Sequence, residues 1–108
     1  MDEIEKKLRY NRLLTIYSSL LSDIEKEDMV SYYEDDLSLS EIAANRKVSR
    51  NAVFTSLKKA EAKLDKFESV LKIERQKLNL IERLKMIETS SDPKGEIKKL
   101  LEDIENGI

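Results

Sequence analysis

Apolar residues recur at spacings of three and four along almost the whole chain, with charged residues between them, and this predicts a succession of amphipathic helices. The first spans residues 4–21, where Ile4, Leu8, Leu13, Ile16, Tyr17, Leu20 and Leu21 alternate with Lys6, Lys7, Arg9 and Arg12. Leu13–Leu14 and Leu20–Leu21 widen its stripe, so it is expected to touch two partners: two other helices, or one helix and a second subunit. Ser22-Asp23-Ile24-Glu25 reads as a capping box, which starts a second helix at Asp23. Ile24, Met29, Val30 and Tyr33 are its expected buried face, and it runs to about Tyr33. Glu34-Asp35-Asp36 ends it as a solvated loop, because the alternating ligands and glycine of a calcium loop are absent.

The next stretch carries the clearest local signal. Ser38 and Glu41 form another capping box, Ile42 and Ala43 give a small apolar face, Val48 is placed as a plug in a turn, and Ser49 caps a further helix whose Val53 and Leu57 return to the same core. Cap, small residue, apolar turn residue, cap and apolar residue in that order make the helix-turn-helix pattern; the plainer alternative is an ordinary helical corner. Four residues after Ala43, where such turns often hold glycine, stands Lys47, so the turn must take another shape or carry strain.

From Arg50 the second helix of the motif continues through Val53, Leu57, Ala60, Leu64, Phe67 and Leu71, a heptad seam that packs on one partner helix, in cis or in trans. Glu74 and Lys77 break its phase, and a new stripe at Leu78, Ile81, Leu84 and Ile87 predicts a separate helix over about residues 73–88, joined smoothly or at a kink. Thr89–Pro93 is loop-like. Asp92 as cap and Pro93 in the first turn open a last helix with Ile97, Leu100, Leu101 and Ile104 on one face, and Gly107 lies just past its end. The expected organisation is a helix-turn-helix core over 1–72, with its motif at 38–68, and a helical extension over 73–108 for packing or dimerisation.

Composition narrows the chemistry. With 39% charged residues, 6% aromatics, two Gly, one Pro and no Cys, Trp or His in 108 residues, the chain reads as all-α with a modest core. Without Cys or His it has no disulfide, thiol nucleophile, imidazole base or usual zinc ligand, and neither a phosphate loop nor a sheltered carboxylate pair is evident, so no enzyme and no cofactor are expected. No run approaches the ~18 apolar residues of a membrane span, and the start lacks signal-peptide character, so a cytoplasmic protein without membrane insertion is expected.

The net charge is −2, but residues 1–36 hold five Lys/Arg against ten Asp/Glu, whereas residues 45–63 hold six Lys/Arg against Glu61 alone. Cation is therefore concentrated where a duplex needs it. In helix-turn-helix docking the first turn of the second helix faces base edges, which makes Arg50 and Asn51 candidates for guanine and adenine readout, with Phe54, Thr55 and Lys58 further along the outward side. Arg46, Lys47 and Lys59 are candidate phosphate contacts.

Tyr32-Tyr33-Glu34-Asp35-Asp36-Leu37-Ser38-Leu39-Ser40-Glu41-Ile42-Ala43, then Val48-Ser49-Arg50-Asn51-Ala52-Val53, resemble the YlxM family of small helix-turn-helix proteins, as do Arg12-Leu13-Leu14 and Tyr17–Leu21. The likeness covers about residues 8–75. Asn51 stands where Gln is common, and Arg46 and Lys47 depart from a more apolar or neutral pattern. The resemblance implies an all-α fold like region 4 of sigma factors, a winged-helix-like DNA-binding core of three to four helices with extended C-terminal helices. It also implies a regulatory role and, from the family's gene neighbourhood, a part in the signal-recognition-particle pathway. Two functions follow as expectations: a homodimeric DNA-binding regulator of transcription, or an accessory protein that binds the signal-recognition-particle RNA or GTPase. A homodimer is expected because the seam and tail stripes exceed what a monomer must bury.

Overall fold

In the computed structural model, which describes residues 2–107, α1 (Glu3–Tyr17) is opened by Asp2, whose carboxylate accepts the Glu5 N–H at 2.8 Å. Its buried stripe is Tyr10, Leu13, Leu14 and Tyr17, continued by Leu21. Ile4 and Leu8, expected on this stripe, are exposed. At 3.6 residues per turn they lie roughly 120–160° round the helix from Tyr10, so their spacing is helical but their phase is wrong. The helix also ends four residues earlier than expected, in a 3-10 turn over Ser18–Leu20 that leaves Leu20 exposed.

The box at Ser22 and Glu25 forms, and α2 (Asp23–Met29) follows. Its last turn widens to a π turn over Val30–Glu34, in which the Asp35 N–H reaches the Val30 carbonyl at 3.0 Å. Ile24 is 53% exposed, against expectation. The face in phase with Leu21 and Met29 carries Glu25 and Asp28, and these two acids are buried in its place. Asn11 Nδ2 donates to the Tyr33 carbonyl at 3.0 Å, which holds the wide turn on α1. Asp36, left-handed at φ 56°, pairs with Lys7.

Next come α3 (Leu39–Arg46), opened by the Ser38–Glu41 box with both bonds at 3.1 Å, and α4 (Arg50–Leu71), where Ser49 Oγ accepts the Ala52 N–H at 3.0 Å. Ile42 and Ala43 from α3, and Val53, Leu57, Ala60 and Leu64 from α4, join the α1 and α2 residues in one core. The seam is thus covered in cis from Val53 to Leu64 by α1, α2 and α3. Phe67 is half-buried against the Tyr17 ring, and Leu71 is exposed. That first length of seam gives no argument for a dimer.

The junction after Leu71 is a break. Lys72 is left-handed at φ 55°, and α5 (Ile73–Glu88) starts at once, with neither Gly nor Pro to mark the place. Side chains from elsewhere satisfy the new helix's first amides: Ile73 N–H donates to Tyr17 Oη at 3.2 Å and Glu74 N–H to Glu68 Oε1 at 3.0 Å. Tyr17 Oη itself donates to Glu68 Oε1 at 2.7 Å, and Arg12 pairs with the buried Glu74.

The chain divides into two units, one running to Glu74 and the other from Arg75. In the second, α5 leads through Thr89–Asp92 to α6 (Pro93–Glu105). The Asp92 carboxylate accepts the Gly95 N–H at 3.2 Å, and a Cβ at Gly95 would lie 2.1 Å from Asp92 Oδ2, so a side chain there would displace the capping carboxylate. Ile87 and Leu100 are buried and Arg83 pairs with Asp103 at 2.6 Å, but Leu78, Ile81, Leu84, Ile97, Leu101 and Ile104 stay exposed. Among the described residues the chain has six α-helices and no strand, and no helix long and apolar enough to cross a membrane.

Candidate nucleic-acid interface

The turn between α3 and α4 closes with the two hydrogen bonds of a Schellman motif: Val48 N–H to the Ala43 carbonyl at 3.0 Å and Lys47 N–H to the Ala44 carbonyl at 3.3 Å. Lys47 adopts φ 57°, ψ 45°. The turn therefore keeps the shape that glycine normally serves, and a side chain there costs about 1 kcal/mol. Val48, expected as a plug, is exposed, and the turn is held chiefly by its backbone.

Ser49 then aims the first turn of α4 outward. Arg50, Asn51, Thr55, Lys58 and Lys59 are all exposed. Arg50, Asn51, Phe54 and Lys58 follow one another at spacings of one, three and four, so they share an outward face. Phe54 is 46% exposed and Lys58 Nζ sits 5.4 Å from its ring centroid, a cation–π contact that steadies both side chains on the surface. Phe54 was placed on this side by helical spacing alone; its contact with Lys58 is an i,i+4 pair legible in the sequence.

The seven candidate contacts do not form one class. Lys47, Arg50 and Lys59 have no ion-pair partner among the described residues, and Lys58 lies 3.6 Å from Glu61. Arg46 is different: its guanidinium donates from Nη1 to Oδ2 of the buried Asp28 at 2.7 Å, and it is itself largely covered. Lys63, counted in the basic stretch, donates to Glu25 at 2.8 Å. That ammonium holds the Glu25 carboxyl below the usual carboxylate range, against the opposing effect of burial. Two of the six cations in residues 45–63 are thus matched by acids of α2. The signal for this was present: Leu21, Glu25, Asp28 and Met29 are spaced four, three and one, so the acids share the phase of two apolar residues.

On the α2 side of α4, Ala52, Thr55, Ser56 and Lys59 line an open groove with Ile24 and Arg46. Thr55 and Lys59 thus look across this groove, to one side of the face that carries Arg50, Asn51 and Phe54. Among the described residues no group of three or more acids stands together as a metal site.

These features define a small all-α helix-turn-helix protein. Comparison with known families agrees: the model of UPF0122, described as "Putative helix-turn-helix protein, YlxM / p13 like", matches residues 4–105, and the chain belongs to this family. It is 38% identical over 105 residues to UPF0122 protein YlxM of Bacillus subtilis, covering 94% of this chain and 96% of the relative. It is 41% identical over 93 residues to a UPF0122 protein of Fusobacterium nucleatum, covering 85% and 88%. A UPF0122 protein of Malacoplasma penetrans is 48% identical over 60 residues, 56% of each chain.

Proposed function

We propose that this chain is a DNA-binding regulatory protein that acts as a homodimer and lays the first turns of α4 in the major groove. The observation that carries the reading is the outward face of Arg50, Asn51 and Phe54, projecting from a turn fixed by the Schellman closure and flanked by the unpaired cations Lys47 and Lys59. Arg50 is suited to guanine O6/N7 and Asn51 to adenine N6/N7, each bidentate pair contributing roughly 1–3 kcal/mol of discrimination. Lys47, Lys58 and Lys59 serve as phosphate contacts, which position the helix without specifying sequence. Thr55 lies beside them and reaches a phosphate or a base edge from the groove side. Arg46 is assigned to the scaffold.

The test is fluorescence-anisotropy binding, over a salt series, to a random duplex pool and to signal-recognition-particle RNA. Duplex binding that weakens steeply with salt supports the reading. So does loss of sequence preference in Arg50→Ala and Asn51→Ala while Lys59→Ala weakens all duplexes alike. An A-form major groove does not admit a helix. Preference for the RNA that survives Asn51→Ala would therefore replace this reading with that of an accessory protein of the targeting pathway. The exposed acids Glu34, Asp35 and Asp36 suit the basic surface of a protein partner, and binding to neither nucleic acid would point to the pathway's GTPase instead.

A further inference from the structure

The exposed face of α6 is an apolar stripe with charge on its flank. Ile97, Leu101 and Ile104 are 45%, 53% and 51% exposed, while Leu100 alone turns inward. At 3.6 residues per turn the three fall within roughly 60° of one another, and Lys94, Lys98 and Glu105 border them on the side away from Leu100. The order of charges along this helix is unusual. Lys94, Lys98 and Lys99 occupy its N-terminal half, and Glu102, Asp103 and Glu105 its C-terminal half. That is the reverse of what the helix dipole favours, and only Glu96 goes the other way in the first turn. Asp103 is matched by Arg83; among the described residues no ion pair uses Lys94, Lys98, Lys99, Glu102 or Glu105.

We infer that α6 pairs with α6 of a second copy of this chain, antiparallel, about a two-fold axis near Leu101. Charge selects this occupant. Reversing the direction of an identical helix brings its acidic half against the basic half of the first, so Lys98 of each copy meets Glu105 of the other, and the adverse order of charges becomes complementary. Residues 75–108 hold seven Lys/Arg and seven Asp/Glu, so two copies meet without net repulsion. The pairing is isologous: one patch serves both partners, and Ile97, Leu101 and Ile104 of each copy interleave across the axis. The inference deepens the homodimer part of the proposed function by naming its surface, and it is independent of the nucleic-acid part.

Sedimentation equilibrium of the full chain, without nucleic acid, tests it. The expected species has twice the 12.6 kDa of one chain. Leu101→Asp is expected to give monomer with its circular-dichroism helicity retained, since the position is exposed. Lys98→Glu and Glu105→Lys each place like charges together twice per dimer and should weaken association about tenfold, while the double variant Lys98→Glu/Glu105→Lys should recover it. Recovery is specific to the antiparallel arrangement, because parallel helices would set position 98 against itself. A dimer untouched by Leu101→Asp, or one that the double variant does not restore, overturns this surface and leaves a homodimer standing. A monomer throughout the concentration range overturns both.

Discussion

Arg46 and Lys47 are neighbours of the same charge at the same turn, yet their surroundings set them apart. Arg46 compensates Asp28, which is wholly buried, so Arg46→Ala strands a carboxylate in the core and is expected to cost about 3 kcal/mol in urea denaturation. Lys47→Ala touches no partner and should leave stability nearly unchanged while weakening duplex binding. Lys47→Gly should stabilise by at most about 1 kcal/mol, because relief at φ 57° is offset by the greater freedom of glycine when unfolded. Equal stability losses in Arg46→Ala and Lys47→Ala would remove the distinction. Phe54 makes a second prediction at this scale. In the proposed complex an exposed ring beside Asn51 is suited to the methyl group of thymine. Replacing thymine by deoxyuridine in a selected site should weaken wild-type binding several-fold, roughly 1 kcal/mol, and have no effect on Phe54→Ala.

The break between α4 and α5 is the element that owes most to tertiary contact. Tyr17 Oη and Glu68 take up the amides that a helix start leaves open, 51 residues apart in sequence. Tyr17→Phe and Glu68→Ala are each expected to cost about 1–2 kcal/mol, and together less than their sum, because they share one network. The same burial and hydrogen bond push the Tyr17 phenol up, and burial does so first of all for Tyr10 and Tyr33. A phenol whose pKa is higher folded than unfolded leaves stability intact below about pH 10 and erodes it as pH rises beyond. Melting temperature should therefore fall as pH rises above about 10, and fall less in Tyr10→Phe. Glu25 acts in the opposite sense: its carboxyl is held low when folded, so its contribution is present above the unfolded value near 4.5 and disappears as pH falls through the folded one. What the sequence made legible follows the same division. Local signals were readable: the caps at Ser22, Ser38, Ser49 and Asp92, the helix-turn-helix order, and the position of α6. Phase was less so. Ile4 and Leu8 have helical spacing but lie off the phase of Tyr10, and Ile24 faces solvent because Glu25 and Asp28 take the buried face, neutralised by residues 38 and 18 positions away. At Lys47 the helix-turn-helix pattern itself pointed to a place that favours glycine, and the structure shows the strained alternative; the left-handed Lys72 was hidden, since neither glycine nor proline marks it.

For the whole molecule, the same acid–base matching sets how strongly it is drawn to a polyanion. Counting the six cations in residues 45–63 gives, at about 0.9 per phosphate neutralised, a salt slope near −5 for each chain. The structure withdraws Arg46 to Asp28 and Lys63 to Glu25, and leaves Lys58 shared with Glu61. In the proposed complex Lys47, Lys58 and Lys59 meet phosphates, so the slope of log K against log salt is expected near −3 per chain, or about −5 for a dimer on two half-sites. Lys59→Ala should make the slope shallower by about one per chain. Lys63→Ala should leave it unchanged, although it removes the partner of Glu25. If instead Lys63→Ala flattened the slope as much as Lys59→Ala, the ion pair would be opening on binding and α2 would be part of the contact surface. A modest slope also gives specificity more room: in the proposed complex, with only three cations on the phosphates, the bases under Arg50, Asn51 and Phe54 would supply a larger share of the binding free energy, and a wrong sequence would be released sooner.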